Sequence, residues 1–130
     1  MDPVVHFEIP LKNEKRISKF YAEAFGWKMQ SLGDKNGNYV LAYTTDVNKK
    51  GWPKKKGRIN GGFYPIHNAM PSQYPSVVIA IDDMKETIKK IKRAGGKVLG
   101  KPMDIPGFGL YVSFMDTEGN RVSVMQPAEM

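Results

Sequence analysis

The chain has 130 residues, of which 41% are hydrophobic and 25% charged, and 20 Lys and Arg against 13 Asp and Glu give a formal net charge of +7. That length suits one domain able to bury roughly two-thirds of its unfolded surface without a staple. There is no cysteine, which excludes disulfides and thiolate metal sites; with no basic-then-apolar leader in MDPVVHFEIP and no run near the ~20 apolar residues of a membrane span, the expectation is a soluble, cytoplasmic protein.

In chain order, VVHFEIP alternates Val5, Phe7 and Ile9 with His6 and Glu8, the period of a strand with one buried face. Asn13 then caps a helix whose Ile17, Phe20, Tyr21, Ala24 and Phe25 recur at helical spacing, and Gly26 ends it. Three strands follow at 27–32, 38–45 and 58–64, the first two separated by the turn KNGN, and Trp27 is read as core. SVVIAID (76–82) opens a second copy of this order. Asp83 caps a helix with Met84, Ile88 and Ile91 on one face, Gly95 and Gly96 close it, and strands follow at 97–101, 109–115 and 120–126.

The chain is therefore written twice as βαβββ. A shift of 70 places Asn13 on Asp83, Ala24 on Ala94 and Gly26 on Gly96, and GNYV falls on GLYV with a slightly longer shift. The organisation expected is a single domain, with module one at 1–65, a proline-rich connector at 66–75 and module two at 76–130. The fold class is α+β: two tandem βαβββ modules forming a curved, partly closed mixed sheet, with one helix per module on the outer face. One module alone would leave a bare sheet face, so the two share a core or a cleft.

The positive charge is concentrated. KKGWPKKKGR (49–58) holds six basic residues and Lys85 to Lys101 seven, together 13 of the 20. Such clusters read either as a solvated loop and helix face or as a polyanion-binding surface. IPGFGLYVSF (105–114) looks like the aromatic strand of an RNA-recognition module, but Phe108 and Tyr111 are three apart and Pro106 stands where Arg or Lys is needed. The module order also differs from βαββαβ, so nucleic acid is not the expected partner.

Paired βαβββ units carrying HFEIPLKNEKRISKFYAEAFGWK and IDDMKETIKKIKRAGGKVLGKPMDIPGFGLYVSFMDTEGNRVSVMQP resemble the vicinal oxygen chelate superfamily. It comprises glyoxalase I, extradiol dioxygenases, and fosfomycin- and bleomycin-resistance proteins. GGFYP, GKPMDIPGFG and DTEGNRVSVMQP are most similar to its glyoxalase-like branch. The resemblance implies four metal-ligand positions, one on the first and one on the last strand of each module. Here they carry His6, Gly61, Ser76 and Ser123, three of which cannot hold a divalent ion. No metal and no cofactor are expected.

Strand alternation supplies the rest of the candidate site. With Val5, Phe7 and Ile9 toward the helix, His6 and Glu8 face the cleft, as do Ser76, Val78 and Ala80 on the fifth strand. The same count assigns Ile59, Gly61 and Phe63, then Arg121, Ser123 and Met125, with Tyr39, Tyr43 and Tyr111 as wall residues. The expected binding set is Tyr39, Tyr43, Phe63, Ser76, Tyr111, Ser123 and Met125, a concave and partly aromatic surface suited to a small molecule. His6 beside Glu8 is the pattern either of a hydrogen-bonded structural histidine or of a general base with its orienting group. Tyr43, Phe63 and Tyr111 equally fit packing at a dimer seam.

The function expected is that of a metal-free, glyoxalase-like homodimer binding a small organic molecule in the cleft between the two βαβββ modules. The alternative is a lyase or isomerase of the same superfamily using His6 and Glu8, and a third reading is a basic nucleic-acid-associated module.

Overall fold

Asn13 and Asp83 start the two helices by one device. Each residue is extended, and its side-chain oxygen accepts a backbone N–H three residues on: Arg16 N to Asn13 Oδ1 at 2.9 Å, and Glu86 N to Asp83 Oδ1 at 3.1 Å. Each cap satisfies a donor that the first helical turn leaves open, worth about 1 kcal/mol. The first helix stops at Gly26, whose φ of 74° is the left-handed conformation that glycine adopts without strain.

The computed structural model describes residues 1–128. The elements are β1 (Val4–Leu11), α1 (Glu14–Phe25), β2 (Lys28–Ser31), β3 (Val40–Tyr43) and β4 (Asn60–Pro65), then β5 (Ser76–Ala80), α2 (Met84–Arg93), β6 (Lys97–Ile105), β7 (Gly109–Met115) and β8 (Arg121–Pro127), with one 3-10 turn at Asp34–Asn36. This is the α+β class with tandem βαβββ modules. The strands are ordered β2-β3-β4-β1 in the first module and β5-β8-β7-β6 in the second. In each, the first and last strands pair in parallel and the others pair antiparallel. Two compact units result, His6–Pro75 and Met1–Val5 with the chain from Ser76 on. The first residues join the second unit through a bond from Ala80 N to Pro3 O at 2.9 Å.

In the first module Leu11, Val40, Ala42 and Phe63 are buried, with Phe7, Ile9, Ile17, Tyr21, Trp27 and Met29 packed on them. The ring centroids of Tyr21 and Trp27 lie 4.6 Å apart, and that of Phe63 lies 5.4 Å from Tyr21. Phe63 is therefore a core side chain, 0% exposed. This corrects the alternation expected for β4. Gly61 and Phe63 point to the helix side, and Asn60, Gly62 and Tyr64 occupy the other face.

In the second module Ile81, Met84, Val112 and Val124 form the core under α2, with Ile79, Ile88 and Ile91 among the side chains packed on them. Because Val112 and Val124 point to the helix, Tyr111, Ser113, Arg121, Ser123 and Met125 point away from it, as alternation requires. β6 runs four residues beyond its expected end, across a bulge between Leu99 and Met103. Phe108 lies in the β6–β7 turn, its N–H bonded to Ile105 O at 2.9 Å, so it does not share a strand with Tyr111.

Candidate functional site

In the first module, Phe7 and Ile9 are drawn into the core, so β1 presents His6 and Glu8 on the face away from α1. Parallel pairing sets His6 opposite Asn60 and Glu8 opposite Gly62. A side chain at Gly62 would collide with the ring and hydroxyl of Tyr39. The glycine thus gives Tyr39 the room in which its hydroxyl hydrogen-bonds His6 Nε2 at 3.1 Å, the direction following the imidazole tautomer. Burial lowers the His6 pKa from 6.5 to about 4, so the ring is neutral at neutral pH. Glu8 is 4% exposed and engaged with neighbouring groups. Tyr43 stands farther out, opposite Lys28, and its hydroxyl donates to Gln30 Oε1 at 3.2 Å. The first module thus brings His6, Glu8 and Tyr39 together and leaves Tyr43 and Phe63 apart from them.

The second module builds a chain of hydroxyls at the corresponding place. Tyr111 OH lies 2.7 Å from Ser123 Oγ, and Ser123 Oγ lies 2.8 Å from Ser113 Oγ. Arg121 Nη1 donates to Ser113 Oγ at 3.3 Å. An arginine can only donate, so Ser113 accepts from it and has its own proton to pass toward Ser123. Ser113, Arg121 and Ser123 are all buried. Met125 faces Tyr111 across the β7–β8 pairing.

Three buried polar atoms make no hydrogen bond among the described residues, one of them Nε of Arg121, whose guanidinium is held through Nη1 and other contacts. The other two are Ser76 Oγ and Asn60 Nδ2. Asn60 stands opposite His6 on β4, and Ser76 occupies the position of His6 in the second module, so one orphan neighbours His6 and the other takes its place. Buried polar groups are nearly always satisfied, and exceptions mark places where water or a ligand completes the bonding.

The metal positions implied by the resemblance need one correction. Val78 pairs with Ser123 on β5 and β8, and Glu8, 70 residues earlier, pairs with Gly62. The residue equivalent to Ser123 is therefore Gly62, not Gly61, whose missing side chain would meet Phe7 in the core. His6, Gly62, Ser76 and Ser123 offer one good metal donor, already bonded to Tyr39. Zinc needs at least three protein ligands and harder ions need several carboxylate or carbonyl oxygens, so this set does not fit a divalent ion. Among the described residues no three His, Cys, Asp or Glu side chains cluster.

Gly62, Asn60 and Ser113 were not among the residues expected from the sequence. Ser113 could have been found from Tyr111 two residues before it on one strand face. The glycine pair 61–62 shows no alternation of its own and conceals which residue faces which side.

Residues 4–124 match the Glyoxalase/Bleomycin resistance protein/Dioxygenase superfamily, and the chain belongs to it. A glyoxylase-like domain-containing protein of Didymella fabae is 32% identical over 116 residues, covering 87% of this chain and 84% of that protein. The anthracycline biosynthesis protein DnrV of Streptomyces peucetius is 27% identical over 135 residues, covering 95% of this chain and 48% of DnrV; the chain thus spans about half of that relative. Methylmalonyl-CoA epimerase of Mycobacterium tuberculosis has the same fold, with a TM-score of 0.65 at 12% identity over 97% of this chain and 88% of that one.

Proposed function

We propose that this chain binds a small organic molecule, without a metal ion, on the helix-free sheet faces that carry the Tyr39 and Tyr111 clusters. The observation that carries this reading is a pair of buried groups without a hydrogen bond, Asn60 Nδ2 opposite His6 in the first module and Ser76 Oγ in the second. On either face a polar atom of the ligand would supply the missing bond, and the tyrosine ring of that face would supply apolar contact. Superfamily membership and relatives named for chemistry on small organic molecules support the same class of ligand. The test is a thermal-shift screen of a metabolite library, followed by titration of hits against Ser76→Ala and Tyr39→Phe. Both variants should bind less tightly; hits whose affinity neither variant changes would place binding elsewhere.

A second reading rests on His6, Glu8 and Tyr39 sharing one face of the first module. An imidazole hydrogen-bonded to Tyr39, with a carboxylate two residues away on the same strand face, is an arrangement that an isomerase or lyase could use to move a proton, with the burial that lowers the His6 pKa to about 4 making the ring a weak base. It predicts solvent deuterium exchange into the carbon acid of a 2-oxoaldehyde adduct or a CoA thioester, abolished in His6→Gln. No exchange across such a panel would leave binding as the function.

The assembly proposed is a homodimer, supported by the apolar side chains that α1 exposes, Phe20 at 57% and Phe25 at 63%. Light scattering should give about twice the chain mass. No helix among the described residues is long and apolar enough to cross a membrane.

A further inference from the structure

The segment joining β3 to β4 carries a site that the tyrosine clusters do not use. Residues 46–58 hold Lys49, Lys50, Lys54, Lys55, Lys56 and Arg58 against one carboxylate, Asp46. The loop is nevertheless built. Asn48 Oδ1 accepts the N–H groups of Lys50 at 2.9 Å and Trp52 at 3.1 Å, Asn48 N donates to Trp52 O at 2.8 Å, and Lys54 N donates to Asp46 O at 3.0 Å. Val47 and Pro53 form a bridge across it. At its base Asn60 Oδ1 accepts Thr44 N at 2.7 Å and Thr45 N at 3.1 Å, and Thr44 Oγ1 donates to Ile59 O at 2.6 Å.

These bonds hold open a concavity of about 270 Å³ lined by Thr44, Thr45, Asp46, Lys54, Lys55 and Arg58. Among the described residues Lys54, Lys55 and Arg58 make no ion pair, and the Thr45 hydroxyl makes no hydrogen bond, whereas Lys19 and Lys89 on the helices are paired with Glu23 and Glu86. Three unneutralised cations and a free hydroxyl around one hollow, with a single carboxylate opposing them, leave a surplus of two positive charges.

We propose that this hollow binds the phosphate or diphosphate group of a small molecule. A guanidinium offers a planar fork of donors and two ammonium groups add point charges, the combination that matches the several oxygens of a phosphate better than the two of a carboxylate. The size of the hollow favours one or two phosphoryl groups over a nucleic-acid duplex, which would need a groove or an extended face. This site stands on the loop alone and holds whether or not the tyrosine faces bind a ligand.

The test is calorimetric titration of the full chain with sodium pyrophosphate, with two-dimensional amide NMR to locate the shifts. Lys54→Gln/Lys55→Gln is compared with Lys89→Gln/Lys90→Gln on α2, which removes the same charge. Saturable binding is expected with shifts at Thr45, Lys54 and Arg58, weakened about tenfold or more by the loop pair and less than twofold by the helix pair. Thr45→Val gives a second reading that leaves charge unchanged and should also weaken binding. Equal loss from both lysine pairs, or no saturable binding, overturns the site. Preferential capture of a single-stranded oligonucleotide with equal dependence on both pairs also overturns it, in favour of a diffuse polyanion surface.

Discussion

The hydroxyl of Tyr39 fills the space that a side chain at Gly62 would occupy, and from that position it meets His6 Nε2 at 3.1 Å. Gly62→Ala should therefore push Tyr39 out and break the bond to His6. The backbone at Gly62 is not in the left-handed region, so the cost is steric, about 1–3 kcal/mol in urea unfolding. Tyr39→Ala removes the obstruction, so the double variant Tyr39→Ala/Gly62→Ala should lose less than the two single losses combined. Strict additivity would show that the two residues do not share the space.

Local chemistry made much of the fold legible and long-range packing made the rest illegible. Asn13 and Asp83 announce their helices because a cap acts within one turn, and β7 was bounded correctly because GLYVSFM alternates without a break. The face of β4 is not legible locally, because Gly61 and Gly62 carry no side chain to show it. What sets the face of β4 is Phe63 packing on Tyr21 and Trp27, residues about 40 positions earlier. His6 was legible as a polar residue on a strand face, but its partner Tyr39 is 33 residues away and nothing local links them. The phosphate-class hollow was visible only as a run of lysines, since Asn60 joins it to the sheet from across the loop.

Phe63 provides a direct test of its corrected placement. As a fully buried ring among Tyr21 and Trp27, it should cost about 3–5 kcal/mol when replaced by Ala, read as a lower urea midpoint with an unchanged slope. A wall residue open to solvent would lose much less.

His6 predicts a pH dependence of stability with a definite sign. Its pKa is about 4 in the folded chain and 6.5 when unfolded, so above 6.5 the ring is neutral in both states and contributes no pH dependence. As pH falls from 6.5 toward 4 the unfolded state takes up a proton that the folded state refuses, and stability drops by roughly 2–3 kcal/mol. His6→Gln lacks this proton, so urea midpoints at pH 7.5 and 4.5 should differ less in the variant than in the parent chain. Equal differences would mean that His6 is protonated in the folded state.

Purified protein is expected to contain no stoichiometric divalent metal. At the four positions where metal-dependent members of this superfamily place their ligands, His6 supplies an imidazole nitrogen, Gly62 has no side chain, and Ser76 and Ser123 have hydroxyls that stay protonated at neutral pH. Ser123 Oγ is within hydrogen-bonding distance of both Tyr111 and Ser113, so turning it toward an ion would break two bonds at once. Recruiting His6 would displace the Tyr39 hydroxyl from Nε2. Glu8 adds a carboxylate on the same strand face, but two protein ligands on one strand leave most of an ion's coordination to water and its affinity weak. Elemental analysis of protein prepared without chelators should find well under one ion per chain, and melting curves in EDTA and in added zinc, nickel or manganese should coincide. A melting point several degrees lower in EDTA would reveal a ligand set other than these four positions.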